Sequence, residues 1–225
     1  LKTRTPEHDN PYKATFSKEN ILMLQACLRV SVTSPKNMHW ITDLLDWVLA
    51  QKDTVPENEF ETELEKKIAD SVEVFLNNKK YALGTGTPHL AFNYLDYLLW
   101  TKRNEEDYKI EKPFVFEYRN SVEHWFAQHI NKESGQDAFP LLHAFGNLCL
   151  LTTPMNSLYS NRTPQSKARD FKDTIDRGSL KLRRMRDLTL KGAGWTKDVC
   201  QKHQEEMLAI LRDGCNRVSS GSAKT

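Results

Sequence analysis

The chain has 225 residues, of which 39% are hydrophobic and 28% charged, with a net charge of +2; that is enough apolar material for one large or two small globular domains and excludes a disordered or fibrous chain. Nine Gly and nine Pro are ordinary usage, and the longest apolar runs fall far short of a membrane span. Cys27, Cys149, Cys200 and Cys215 lie far apart with no CxxC pair, so neither a disulfide framework nor a thiolate zinc site is expected, and a reducing cytoplasm fits best.

Helical periodicity fills the first hundred residues. Ser17 precedes an apolar series, Ile21, Leu22, Leu24, Ala26 and Leu28; after a Thr33-Ser34-Pro35 break, Met38, Ile41, Leu44, Leu45 and Val48 repeat at three and four. Phe60, Leu64, Ile68, Val72 and Phe75 form a third stripe through an acidic block, where eight carboxylates face two lysines between Asp53 and Glu73; the pattern predicts a helix with its carboxylates outward. Gly84-Thr85-Gly86-Thr87-Pro88 interrupts. No Lys-Ser/Thr follows it, so the segment is not a phosphate cradle, and Thr87 and Pro88 read as N-cap and N1 of a helix through Leu90, Tyr94, Leu95, Leu98 and Leu99.

After Lys112 the texture changes. Phe114, Phe116 and Tyr118 alternate with Val115 and Glu117, predicting a strand that ends near His124. A loop with Ser134-Gly135 and Pro140 leads to a short apolar strand over Gly146–Leu151, and Pro154-Met155-Asn156 turns the chain into a helix carrying Lys167, Arg169 and Lys172. The last helix opens at Thr196 with Val199, Met207, Leu208 and Leu211 inward, and the tail frays from Ser219. Trp40, Trp47 and Trp100 lie on helical apolar stripes and read as core.

This order places Glu123-His124 at the end of one strand, Asn147 on the next and Asn156 at the following helix start. These residue types suit a metal-dependent phosphodiesterase: a neutral histidine can take a proton from water, and a carboxylate and an amide oxygen are hard ligands for Mg²⁺ or Mn²⁺. His129 and His143 read as structural, His143 serving the loop, and His39, His89 and His203 receive no role. From Ser160 to Lys191 ten Lys/Arg face four Asp. Arg162, Lys167, Arg169 and Lys172 follow directly on the proposed site, where duplex phosphates would pass, and Arg177, Lys181, Arg183, Arg184 and Arg186 extend the surface.

Glu123-His124-x-x-x-Gln128, Leu142-His143-x-x-Gly146-Asn147-Leu148-x-Leu150-Leu151, Asn156-Ser157-x-x-Ser160-Asn161 and Lys167 resemble the C-terminal His-Asn-His (ββα-metal finger) nuclease domain of GmrSD-type modification-dependent restriction proteins. Residues 35–47 and 84–100 resemble the helical region that precedes it. The resemblance implies a mostly α fold with a small ββα-metal (HNH) finger: a helical bundle over residues 1–110, then a finger with core 114–172 embedded in further helices to residue 225. It implies His124 as general base, Glu123 and Asn156 at a Mg²⁺ or Mn²⁺ ion, Asn147 orienting the loop or the histidine, and Lys167 on phosphate. Ala127 stands where the family usually has proline, and Trp125 replaces the usual aliphatic. DNA is the implied substrate, modified phage DNA included, and the implied setting is phage defence with an N-terminal nucleotide-hydrolysing domain. No P-loop or Asp-Gly-Gln-Gln-Arg-like signature is present, and Leu1, Lys2 and Arg4 read as the opening of a fragment without a signal peptide. The rival reading is a helical DNA- or protein-binding module whose finger is purely structural, which has no reason to keep the set Glu123, His124, Asn147 and Asn156 together.

Overall fold

The computed structural model describes residues 2–4, 12–14, 16–77, 81–128 and 139–221; His129 and the Ser134-Gly135 turn lie outside the described residues. β1 (Lys2–Arg4) and β2 (Tyr12–Ala14) form an antiparallel pair. Four helices follow: α1 (Glu19–Ser31), α2 (His39–Ala50), α3 (Glu57–Asn77) and α4 (His89–Thr101). The predicted stripes bury Ile21, Leu24 and Leu28 on α1 and Leu64, Ile68, Val72 and Phe75 on α3. On α2 only Leu44 is buried, and Ile41 and Leu45 of its predicted stripe stay exposed.

Three expectations are corrected here. The acidic helix does not turn every carboxylate outward, because Glu65 is buried, accepting from Arg217 Nη2 at 2.6 Å and from the Tyr94 hydroxyl at 3.0 Å. Helix α4 starts one residue later than Thr87 and Pro88 suggest: Pro88 is its cap, and the Thr87 hydroxyl donates back to Gly84 O at 2.9 Å. Ser219 and Ser220 are helical, since the final helix runs on to Gly221.

The aromatic alternation over residues 114–118 forms no strand. Phe114 is buried and Phe116 half-buried while Val115 and Glu117 are exposed, so a two-residue rhythm of burial runs over 114–117 and breaks at the exposed Tyr118, and no strand among the described residues pairs with the segment. Pairing begins at β3 (Ser121–His124), antiparallel to β4 (Leu148–Leu151), with Glu123 opposite Cys149 and His124 opposite Leu148. The basic segment expected as one helix is three: α5 (Thr153–Tyr159), α6 (Pro164–Asp170) and α7 (Lys172–Ile175). The Thr152 hydroxyl accepts from Met155 N at 3.4 Å and that of Thr163 from Ser166 N at 3.2 Å, each with a proline in the first turn, so a new helix starts at each threonine. Helices α8 (Leu180–Leu190) and α9 (Lys197–Gly221) complete the chain.

Two apolar clusters form. The larger joins α1, α3 and α4 to the C-terminal half of α9, which packs most extensively along α3. The smaller gathers Trp125, Met155, Tyr159, Ile175, Leu182, Met185 and Trp195. Trp125, at the position where an aliphatic is usual, is fully buried here and its indole N–H donates to Thr189 Oγ1 at 2.8 Å. Gly146 lies so close to α9 that an added Cβ would come within 2.6 Å of Cys200 O and 2.7 Å of Gln204 Cβ. Only glycine fits that approach.

Candidate active site

The end of β3 and the helix α5 meet at a cleft of about 210 Å³ lined by Glu123, His124, Ala127, Gln128, Asn156, Ser160 and Asn161. Glu123 and His124 are neighbours on a strand, where side chains alternate, yet both reach the cleft because the strand ends at His124 and the chain bends at Trp125 and Phe126. Asn156 is one turn inside α5, with its Nδ2 2.7 Å from Ser121 Oγ. Its Oδ1 has no protein partner among the described residues. Ser160, which caps α5, has a left-handed φ of 43°.

His124 is 5% exposed, and its Nε2 lies 3.1 Å from His143 Nδ1. Burial first, then the facing imidazole and the Lys167 ammonium, push its pKa down to about 4. At neutral pH the ring is uncharged and keeps a lone pair. Burial raises the Glu123 carboxyl above its usual range, against the opposing pull of Lys167 Nζ at 3.6 Å.

Asn147 does not line the cleft. It is fully buried and closes a four-bond staple: Phe126 N and Trp195 Nε1 donate to its Oδ1 at 2.9 and 3.1 Å, and its Nδ2 donates to Leu142 O at 2.9 Å and Phe126 O at 3.2 Å. This fixes the bend after His124 to the loop before β4.

The structure corrects the basic set. Lys167 is fully buried, and its ammonium donates to His124 O at 2.7 Å and Trp125 O at 3.2 Å. It holds the strand end from inside and has no surface to offer a phosphate. Lys181 is equally buried, donating to Leu148 O at 2.5 Å, and Arg183 donates to Lys112 O and Pro113 O. Arg184 and Arg186 are partly buried and paired with Glu206 and Asp176. Arg162, Arg169, Lys172 and Arg177 are exposed; Arg162 pairs with Asp170 at 3.1 Å and Lys172 with Asp176 at 2.9 Å.

The sequence reads His143 as a structural residue of the loop and assigns no chemistry to Gln128, Ser160 or Asn161. The first touches His124 and the other three line the cleft. His143 and His124 are nineteen residues apart in sequence, so no local spacing announces the pair.

Among the described residues no three His, Cys, Asp or Glu side chains form a metal-holding cluster. The cleft instead offers the Glu123 carboxylate, which faces Lys167, and amide side chains among which is Asn156, a donor set that suits Mg²⁺ or Mn²⁺ held chiefly by waters and substrate phosphate, and not a protein-only cage. Among the described residues no helix is long and apolar enough to cross a membrane.

Neither a curated protein nor a solved structure matches the chain. The sequence model of the GmrSD restriction endonucleases, C-terminal domain, matches residues 69–210, well over half the chain and inclusive of every element around the cleft. The strand ends, the glycine against α9 and the asparagine staple all fall within that match, and the chain belongs to the GmrSD C-terminal domain family of restriction endonucleases.

Proposed function

We propose that the chain is a metal-dependent DNA endonuclease domain of the HNH type, cutting phosphodiester bonds in phage-defence restriction. The observation that carries this reading is one cleft gathering Glu123, His124 and Asn156 from a strand–strand–helix unit. Glu123 and Asn156 would hold Mg²⁺ or Mn²⁺, which when bound offsets charge on the scissile phosphate. His124 takes the proton of the attacking water as the new oxygen–phosphorus bond forms and the bond to the leaving sugar oxygen breaks. Lys167 holds the backbone beneath His124, so the base does not drift. Arg162 precedes α6, Arg169 lies near the end of α6 and Lys172 opens α7; all three are exposed, and Arg162 and Lys172 are able to exchange their carboxylate partners for backbone phosphates.

The test is plasmid nicking with Mg²⁺, with Mn²⁺ and with chelator, for the natural chain and His124→Ala. We expect metal-dependent cleavage that falls by about 10²- to 10⁴-fold in the variant, with DNA affinity and melting temperature close to those of the parent. Equal cleavage by both proteins removes His124 from the chemistry. Binding without any cleavage by the natural chain assigns it to the binding-module reading.

A further inference from the structure

We propose that His143 is the positioning residue for His124: its Nδ1 accepts a hydrogen bond from His124 Nε2–H, so that the base keeps its free lone pair on Nδ1, and Gly84 of the helical bundle holds His143 in place. This deepens the nuclease reading and rests on it for the role of His124.

The argument starts from counting protons. Two imidazoles face each other through one nitrogen each, 3.1 Å apart with ring planes inclined at 69°. A single hydrogen lies between them, on one side or the other. If His143 donated, its partner would spend the Nε2 lone pair on that bond and carry its own proton on Nδ1, leaving no basic nitrogen at all. A base at His124 therefore requires the opposite assignment, with His143 protonated on its outer Nε2. His143 is exposed, so water satisfies that outer N–H.

The bundle supports this arrangement from the other side. Gly84 N donates to His143 O at 3.2 Å, and Phe145 N donates to Tyr81 O at 2.7 Å, so residues 81–84 are laced to the loop before β4. Gly84 has φ +56°, and a Cβ added there would stand 3.0 Å from His143 Nδ1, the very nitrogen that faces His124. Any side chain at residue 84 pushes that acceptor by a few tenths of an ångström, besides straining the backbone. The glycine turn that sequence reading discards as a phosphate cradle is placed to aim a histidine.

The experiment measures tautomers directly. Long-range proton–nitrogen correlation spectra of the ¹⁵N-labelled, metal-free full chain at neutral pH should show His124 protonated on Nε2 and His143 also on Nε2. In His143→Ala both His124 tautomers should appear, and His143→Gln, whose side-chain oxygen can accept the same hydrogen bond, should restore the single form. In cleavage, His143→Ala should lower kcat by about 10- to 100-fold at unchanged KM, with part of the loss regained by His143→Gln. Gly84→Ala should fall between the two. A natural chain with His124 protonated on Nδ1, or a tautomer indifferent to His143→Ala in a protein that melts normally, overturns the proposal. Tautomers that respond as expected in a chain that cuts no DNA leave the pairing standing and reject the nuclease reading alone.

Discussion

Replacing Lys167 by methionine separates a buried clamp from a phosphate contact. Methionine has a similar length and keeps the packing, while removing two charge-assisted bonds, to His124 O at 2.7 Å and Trp125 O at 3.2 Å, and the attraction to Glu123. Bonds of this kind contribute about 1.5–3 kcal/mol each, and the two carbonyls left unpaired in a fully buried site add to the loss. Burying the ammonium is itself costly, which is why burial leads the causes lowering the Lys167 pKa, and that cost disappears with the charge. We expect a net destabilisation of about 2–4 kcal/mol, or roughly 4–15 °C in melting temperature for a chain of this size. DNA affinity should change by less than about twofold, and the salt dependence of binding should keep its slope, because loss of one phosphate contact would reduce that slope by about 1. An unchanged melting temperature together with weaker, less salt-dependent binding would refute the buried clamp.

Asn147→Ala should cost about 3–5 kcal/mol in a urea melt, since four bonds at a fully buried site are lost together; a loss below about 0.5 kcal/mol would refute the staple. Double charge reversal at Arg169 and Lys172 should make the log–log salt slope shallower by about 2 and weaken binding alike across DNA sequences, which titrations at several ionic strengths will measure. Asp96 is buried, accepts from Lys181 N at 2.9 Å, and is pushed by that burial up to about 6. Because the folded state holds this proton more tightly than the unfolded one, its stabilising contribution is complete below about pH 4 and is lost as pH rises to about 6. Relative to Asp96→Asn, the natural chain should therefore lose about 3 kcal/mol as pH rises across that window; a natural chain that instead loses stability relative to the variant on acidification would show the reverse linkage.

Much of the fold is legible because helical burial repeats every three to four residues, and α1, α3 and α4 bury most of the residues that repeat predicts, with Ala26, Phe60 and Leu90 half-buried and Leu22 of the α1 series exposed. Residues 114–118 mislead for a definable reason: alternation reports which side chains face a packed surface, and a strand also needs a partner's backbone, which here begins only where Asn120 N donates to Leu151 O. Charge counting fails at Lys167 and Lys181 because a lysine's fate depends on what its ammonium reaches across the fold. Both reach carbonyl oxygens at the ends of the β3–β4 ladder, forty-three and thirty-three residues away in sequence. The set Glu123, His124 and Asn156 is legible as an ordered series of residue types, whereas the His143 contact joins residues nineteen apart in sequence and carries no local signature.

The ladder explains why the cleft sits where it does. Successive residues of β4 belong to different cores, Leu148 and Leu150 to the bundle cluster and Cys149 and Leu151 to the smaller one, so all four are buried and the strand reads as a continuous apolar run. On β3 the same division puts Val122 in the bundle cluster, while Trp125, just beyond the strand, anchors the smaller one. The two-stranded ladder is thus a wall shared by both cores, tied at one end by Lys167 and Lys181 and by the Asn147 staple. Two strands alone are marginal in water. Covered on both faces, they become one of the most constrained parts of the chain, and Glu123 and His124 stand at the tied end. A general base loses much of its effect from displacements near 1 Å, so placing it at the junction of two cores makes rigidity there a consequence of the fold and not of the cleft itself.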